Sequence, residues 1–420
     1  MGITLAALGM ASSTHAKGLM VHEWGTFTTL SACDGRSLAG LYVDASRLPA
    51  FVHGIPYFNY DTAFGWAPLS KLRHVTVKME TPVLYFYAPD SLDVDVKVKF
   101  QGGTISQWYP QAYDREADPA GPYVDFAAGP NPYSGHIGWK AKVLAPEMKP
   151  AYTTTGSGQE TPEWTAPRNV ASNMLRGEGG EYERFLFYRG LGNFPSTVKL
   201  KFRDDSTLAI LNDGEDDLPW LMVYDRRNGG DAMPAGILWQ GALAAHAMIC
   251  VPVPKLDAVD YGVGMAAMDT LQNRLIQAGL FPDEAKALVQ TWYDGYFHEG
   301  GLKAFWILPR ALVDRILPLT ITPAPEALQR VIVGRSEILW PAFESELRAA
   351  RDADTLAHFS ADKFRMAYQD FLFPDPDAES LALRPRPPFA DAADPVRRES
   401  RPGFGWKVLG IRDALGRWAP

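Results

Sequence analysis

The chain has 420 residues, which is long enough for one or two domains with substantial hydrophobic cores. Hydrophobic residues make up 46% of it and charged residues 21%, a composition that is typical of folded proteins and argues against extensive disorder. The formal net charge is −8. Because nucleic-acid binding requires a basic surface, we do not expect nucleic acid as the main partner.

The first residues have the pattern of an export signal. Residues 3–10 are almost wholly apolar, and Thr14 and Ala16 place small residues at the two positions that a signal peptidase reads. The sequence therefore predicts a signal peptide over residues 1–16 and a periplasmic or secreted protein. A short buried N-terminal helix is the alternative, because no positive charge precedes the apolar run. No other run approaches the roughly 20 apolar residues that cross a bilayer, so we expect no transmembrane segment in the mature chain.

Residues 17–150 have the pattern of an antiparallel β domain. Val21–Leu30 alternates as a strand does, Val83–Tyr87 is an apolar run suited to a buried strand, and Val94–Phe100 alternates apolar and charged residues. Aromatic residues make up 12% of the chain, which also favours strands.

The second half combines strands with helices. Residues 151–180 are polar and Gly-rich and predict a linker or long loop. Residues 181–373 predict a second β unit with helices at about 264–296 and 341–373, and the Pro/Arg-rich tail at 374–420 predicts an extended segment. We expect a mainly β, sandwich-like, α+β protein, in which similar aromatic hairpins indicate two related units or arise from β-propensity alone.

The histidine and glutamate residues of the first domain suggest a metal site. A facial triad needs two histidines and one carboxylate from separate elements, and His22, His74 and Glu80 fit if neighbouring strands bring them together. Glu23 would then be the general base, although adjacent residues of a regular strand point to opposite faces, so that only a bulge, helped by Gly25, would let His22 and Glu23 converge. Glu23, His53 and His136 are reserve ligands. Alternatively, His22 and Glu23 are buried polar residues that hydrogen-bond to the surrounding structure. The first functional hypothesis is a metal-assisted enzyme with a divalent transition metal.

Two charged pairs stand two residues apart in predicted strands. Lys78 and Glu80 share a strand face and would form a base with a cationic partner or a surface ion pair. Arg335 and Glu337 are arranged in the same way, and we interpret them as a structural pair.

Aromatic residues suggest a different function. Tryptophans on the surface of secreted β-proteins stack on sugar rings, although most aromatic side chains lie in the core. The candidates are Trp108, Trp139, Trp164 and Trp239. The alternative function is therefore a non-catalytic envelope protein that binds glycan or protein, and the partner of either function is an unidentified small molecule or glycan.

The only two cysteines, Cys33 and Cys250, stand far apart in the sequence. In an oxidising compartment they would close one long loop, which is worth about 4–5 kcal/mol on the chain-entropy model. Alternatively, each is a small buried hydrophobic residue.

Four segments resemble a group of uncharacterised exported bacterial proteins. Val21–Thr28 (VHEWGTFT) looks like the opening of these proteins, and Lys78–Val83, Phe187–Gly190 and Val331–Glu337 are similar to later segments of the group. The resemblance spans most of the predicted mature chain. It implies export and a shared fold, and it implies no particular chemistry.

Overall fold

The computed structural model describes residues 15–39, 41, 48–49, 51–54, 75–115, 134–153, 161–227, 235–255 and 265–353. The predicted signal peptide, apart from its last two residues, and the predicted tail at 374–420 lie outside the described residues. His74 lies outside them too. Export of the chain therefore stays a prediction.

The described part of the chain is built mainly of strands. They are β1 (His15–Ser31), β2 (His53–Gly54), β3 (Val77–Tyr87), β4 (Leu92–Gln101), β5 (Gly103–Tyr109), β6 (Asp114–Arg115), β7 (Ser134–Val143), β8 (Leu175–Gly177), β9 (Tyr182–Glu183), β10 (Leu186–Gly192), β11 (Val198–Asp204), β12 (Thr207–Asn212), β13 (Leu218–Arg226), β14 (Gly236–Leu243), β15 (Met248–Pro252), β16 (Gly301–Ile307), β17 (Leu319–Thr322) and β18 (Ala324–Ile338). The α-helices are α1 (Pro162–Arg168), α2 (Met265–Gln277), α3 (Pro282–Thr291), α4 (Arg310–Ile316) and α5 (Pro341–Asp352), and Asp294–His298 is a π-helix.

One large mixed sheet contains fifteen of these strands, and its main path runs β14-β13-β16-β18-β1-β3-β10-β5-β7-β4-β17. Strands β11, β12 and β15 form a second sheet. Strand β1 lies in the middle of the large sheet, parallel to β18 and antiparallel to β3. The large sheet therefore joins strands from both predicted units. The predicted linker at 151–180 contributes α1 and β8 to the fold, so the structure differs from the predicted division.

The residues of β1 alternate between two hydrophobic cores, as the sequence pattern predicted. Val21 and Phe27 face a core shared with β4, β7 and the three-stranded sheet, which we call the sheet-side core. Trp24 faces the other core, which α2, α3 and the π-helix cover and which we call the helix-side core. Because both faces of β1 are covered between residues 21 and 31, even the polar residues of this part are buried.

A β-bulge interrupts the pairing of β1 with β3 between Trp24 and Thr26. A Cβ atom on Gly25 would lie 2.8 Å from the Cα atom of Pro82, so only glycine allows the two strands to approach here. Two residues of β3, Thr81 and Pro82, lie opposite Gly25 at the bulge. Thr81 has a φ of 45°, which is unusual for a β-branched residue. The bulge brings Glu80 onto the helix-side face beside Thr28.

The prediction of a mainly β fold with helices in the second half is confirmed, with about 50% strand and 20% helix. Helices α2 and α3 lie within the predicted 264–296 region, and α5 begins at Pro341 as expected. In the described ranges, no helix combines the length and the apolar character that crossing a membrane requires. Cys33 and Cys250 are both free thiols, so the structure does not contain the disulfide.

Candidate functional site

Glu23 lies in the sheet-side core and is completely buried. Its Oε1 atom accepts a hydrogen bond from the Tyr188 hydroxyl at 2.5 Å, and its Oε2 atom accepts one from Nε of Arg330 at 2.5 Å. Burial raises the pKa of Tyr188, and the charge of Glu23 raises it further, so this hydroxyl stays a donor. Both carboxylate oxygens of Glu23 are therefore engaged, which favours the structural interpretation of this residue over the predicted general base.

His22 lies on the opposite face of β1, against the start of α3. Its Nδ1 atom is 2.8 Å from Oε2 of Glu284, a completely buried carboxylate. The same Oε2 atom accepts a hydrogen bond from the backbone N–H of Phe281, and Oε1 accepts one from the Tyr87 hydroxyl at 2.7 Å. Because the carboxylate is surrounded by donors, it favours the tautomer of His22 that carries its proton on Nδ1.

The predicted metal ligands do not all meet in the described structure. Glu80 pairs in register with Thr26, which lies four residues beyond His22. Because a strand rises about 3.3 Å per residue, Glu80 and His22 are about 13 Å apart along the strand direction. His74 lies outside the described residues, and no group of three potential ligands occurs within the described ranges. The reserve residues are also held by carboxylates: Nε2 of His53 is 2.8 Å from Glu181, and Nε2 of His136 is 3.5 Å from Asp114.

A cluster of charged side chains lies at one end of the helix-side face. On β3, Nζ of Lys78 is 3.1 Å from Oε1 of Glu80. On β1, the hydroxyl of Thr28 donates to Oε2 of Glu80 at 2.6 Å. The side chains of Lys78 and Glu80 are only 8% and 10% exposed, so this is a nearly buried ion pair and not the surface pair that the sequence suggested.

Strands β18 and β16 extend this cluster. Arg335, the register partner of Thr28, forms an ion pair with Glu337 and donates to the carbonyl oxygen of Gly295 at 2.9 Å. Burial opposes the charge of Arg335, but Glu337 and Glu80 outweigh it and raise the pKa of the guanidinium. Lys303 on β16 pairs in register with Glu337, is completely buried and donates to the carbonyl oxygen of Glu299.

Strand β10 adds a further cation on the other side. Tyr188 belongs to the sheet-side core, and Gly190 lies against Met79 of the same core. Because side chains alternate along a strand, Arg189, which stands between them, faces the helix side. Gly190 pairs with Met79, which places Arg189 next to Glu80. Arg189 is 1% exposed. We call this set, Lys78, Glu80, Arg189, Lys303, Arg335 and Glu337, the charged cluster.

The charged cluster contains four cationic side chains and two carboxylates. The charge of Glu299, which lies outside this set, also raises the pKa of Arg335. The side chains of Lys78, Glu80 and Glu337 keep 8–10% exposure, so the cluster is not wholly closed to solvent.

Tyr296 of the π-helix lies against the charged cluster. The guanidinium of Arg335 is 5.0 Å from the centre of the tyrosine ring. The hydroxyl of Tyr296 is buried, which raises its pKa, and a hydrogen bond with the Thr26 hydroxyl acts in the opposite direction. The Thr26 hydroxyl in turn donates to the carbonyl oxygen of Glu80 at 3.1 Å. Tyr296 therefore lies beside the charged cluster, in contact with Arg335 and Thr26.

The tryptophans proposed for glycan binding are not an exposed row. Trp108, Trp139 and Trp164 are buried in the cores, and Trp239 is half-buried against the sheet-side core. Trp239 alone of these four keeps part of its side chain exposed, so the four do not form a stacking surface together.

Comparisons with known proteins add little to these observations. Neither a protein-family model nor a curated protein matches the sequence. Among solved structures, the chain is similar to the yeast delta-COP-I mu-homology domain, with 8% identity and a TM-score of 0.27 over 77% of this chain and 96% of that one. The same domain complexed with a Dsl1 WxWxV peptide matches with 7% identity and a TM-score of 0.27, over 77% of this chain and 97% of that one. TM-scores this low support no functional argument.

Sequence reasoning identified parts of the charged cluster as separate pairs. The pairs Lys78–Glu80 and Arg335–Glu337 were visible from their two-residue spacing, because such residues share a strand face. Arg189 and Lys303 were missed as site residues. Nothing in a single sequence reveals that β10, β3, β1, β18 and β16 lie side by side.

Proposed function

We propose that the protein binds a small anionic ligand at the charged cluster. The observation that supports this proposal is the gathering of four buried cationic side chains from four strands of one sheet, with Lys78 and Glu80 partly exposed at its edge. These cations would attract an anion where water is largely excluded, and the low local dielectric would strengthen the attraction.

The residue types suit such a ligand. Arginine presents a planar fork of donors to carboxylate, phosphate and sulfate groups, and lysine adds a compact charge. Arg189 and Arg335 would supply the forks, with Lys78 and Lys303 beside them. Glu80 and Glu337 would hold these cations in place, since each carboxylate lies next to a cationic partner.

Glu80 is also the candidate for proton transfer if the bound ligand reacts. It lies beside Lys78 at the edge that reaches solvent, whereas both oxygens of Glu23 are already bonded in the core. The enzyme hypothesis from the sequence is thereby moved from Glu23 to Glu80.

The test is calorimetric titration of the purified protein with phosphate, sulfate and acetate. We expect the wild type to bind at least one anion and Lys303→Met to bind it at least about ten-fold more weakly, since a charge-assisted contact is lost. Lys97→Met is the matched control, because this lysine is exposed on β4. Unfolding curves of both variants show whether the fold is intact. Absence of binding by the wild type up to about 10 mM anion, well beyond ordinary affinities for small ligands, would overturn the proposal.

A metal site at His22 is the second candidate function. The supporting observation is that Glu284 holds Nδ1 of His22, so that Nε2 would be the atom of this ring that binds a metal. Metal-binding histidines are commonly oriented by a carboxylate in this way. Elemental analysis of the wild type should find near-stoichiometric transition metal that His22→Ala loses, and the exposed His246→Ala should retain it. Wild-type protein without metal after incubation with zinc would exclude this candidate.

A further inference from the structure

A second candidate site lies outside the charged cluster, in a cavity of about 440 Å³ between helices. We propose that this cavity binds a neutral sugar, whose hydroxyl groups would bond to the amide side chains of Asn169 and Gln290 and whose ring would pack on Tyr293. This inference goes beyond anion binding at the charged cluster and does not depend on it.

The position of the cavity follows from the packing of the helices. Helices α1 and α2 both pack against α3. The described residues that line the cavity belong to these three helices and to their ends: Thr165, Ala166, Asn169, Met268, Gln290 and Tyr293. Its volume lies within the range of about 300–1,000 Å³ that is typical of small-molecule sites.

Helix geometry directs the polar side chains to the same place. Residues three or four positions apart lie on one face of a helix. Thr165 and Asn169 are four positions apart at the C-terminal end of α1, and Gln290 and Tyr293 are three positions apart at the C-terminal end of α3. Each of these two helix ends therefore presents a pair of polar side chains to the cavity.

The chemistry of the lining indicates an uncharged ligand. None of the six described residues that line the cavity carries a formal charge. An ion bound among them would lose part of its hydration without gaining an opposite charge, which is unfavourable. The cavity therefore differs in its ligand chemistry from the charged cluster.

The polar groups match the hydroxyl groups of a sugar. A carboxamide contains both donors and an acceptor, and a hydroxyl group also donates and accepts. Asn169 and Gln290 are both exposed, so their amide groups are accessible to a ligand. The hydroxyl of Thr165 donates to the carbonyl oxygen of Thr161 at 3.2 Å, and its oxygen can still accept a hydrogen bond.

Tyr293 provides an aromatic surface for the C–H face of a sugar ring. Its ring lies parallel to the imidazole of His298 within 10°, with 6.2 Å between the centroids, and this stacking limits its movement. The side chain of Tyr293 is nevertheless 43% exposed, so a ligand can cover it. Tyr293 would therefore take the stacking role that the sequence analysis assigned to tryptophans.

The test is a ligand-detected NMR titration of the purified protein with glucose, N-acetylglucosamine, maltose and chitobiose. We expect at least one of these sugars to bind with a Kd of about 1 mM or lower, which corresponds to an ordinary binding energy per atom for a ligand of this size. Tyr293→Ala should weaken that binding about five-fold or more, because the stacking contact is lost. Asn169→Trp should abolish it, since the larger side chain would fill part of the cavity and would remove the amide.

Tyr113→Ala is the matched control, because this tyrosine is 37% exposed and does not line the cavity. Thermal unfolding shows whether each variant keeps the fold of the wild type. Sulfate at about 10 mM should leave sugar binding unchanged, since an anion has no cationic partner in the lining of the cavity.

Equal sugar affinity of Tyr293→Ala and the wild type would overturn this inference, and so would displacement of the sugar by sulfate. Absence of binding of all four sugars up to about 50 mM, well above the expected Kd, would overturn it as well. None of these results bears on anion binding at the charged cluster, which the calorimetric titration tests separately.

Discussion

Nε of Arg330 lies 2.5 Å from Oε2 of Glu23, and both side chains are almost wholly removed from solvent. The pair joins adjacent strands, β18 and β1, on their sheet-side face. Nη1 of Arg330 also bonds to Asp314 at 2.7 Å, and Asp314 is 46% exposed. A line of polar contacts therefore runs from the Tyr188 hydroxyl through the core to the surface.

We expect Glu23→Ala to lower the free energy of unfolding by about 3–5 kcal/mol, because it leaves the Arg330 charge buried without its main partner. Urea unfolding measures this loss. Glu299→Ala is the control, since Glu299 is exposed. A loss below about 1 kcal/mol for Glu23→Ala would mean that the Glu23–Arg330 pair contributes little to the stability of the fold.

His22 and Glu284 should be energetically coupled, because the imidazole shares a buried carboxylate with Tyr87 and the N–H of Phe281. A double-mutant cycle of His22→Ala and Glu284→Gln, measured by urea unfolding, should give a coupling free energy of about 1–3 kcal/mol. The exposed pair His246–Glu215, 3.4 Å apart, should give less than about 0.5 kcal/mol. Additive effects at His22 and Glu284 would contradict the contact.

Cys33 and Cys250 should differ in their reaction with iodoacetamide. Burial raises the pKa of the Cys33 thiol to about 12, and a hydrogen bond with Glu344 makes a smaller contribution in the same direction. Cys250, in contrast, is exposed. Because the thiolate reacts, we expect labelling of Cys250 at pH 8 and of Cys33 only at strongly alkaline pH or after unfolding. Glu344→Gln should shift the labelling of Cys33 towards lower pH. Mass spectrometry identifies the labelled cysteines. If neither cysteine reacts until a reductant is added, the two form a disulfide and the prediction is wrong.

Gly334→Ala should destabilise the protein strongly. A Cβ atom at this position of β18 would overlap the ring of Trp306, and Trp306 is buried in the sheet-side core. We expect a loss of about 3 kcal/mol or more in the free energy of unfolding, because overpacking of a dense core forces neighbours to move. At Gly179 the nearest atoms would be 3.7 Å away, so Gly179→Ala should change stability by less than about 1 kcal/mol. Similar stability of the two variants would show that Trp306 moves aside.

The sequence by itself determined the local structure of the strands that carry the site. The alternation around His22 and Glu23 predicted that the two side chains face opposite sides of β1. In the structure His22 contacts Glu284 on the helix side, whereas Glu23 contacts Tyr188 and Arg330 on the sheet side. The two-residue spacing of Lys78 and Glu80 predicted a shared face, and the pair is 3.1 Å apart. These relations depend only on the geometry of a single strand, so they can be derived without knowledge of its neighbours.

The tertiary structure decided which strands are neighbours and how deeply their side chains are buried. Glu23 meets Arg330, which is 307 positions away in sequence, and His22 meets Glu284, which is 262 positions away. The charged cluster likewise takes residues from four strands, β10, β3, β18 and β16, which flank β1 on its two sides, and only the tertiary structure brings them together. Strand order depends on the packing of the whole core and on long-range loop closure, and strand-local periodicity carries no information about either.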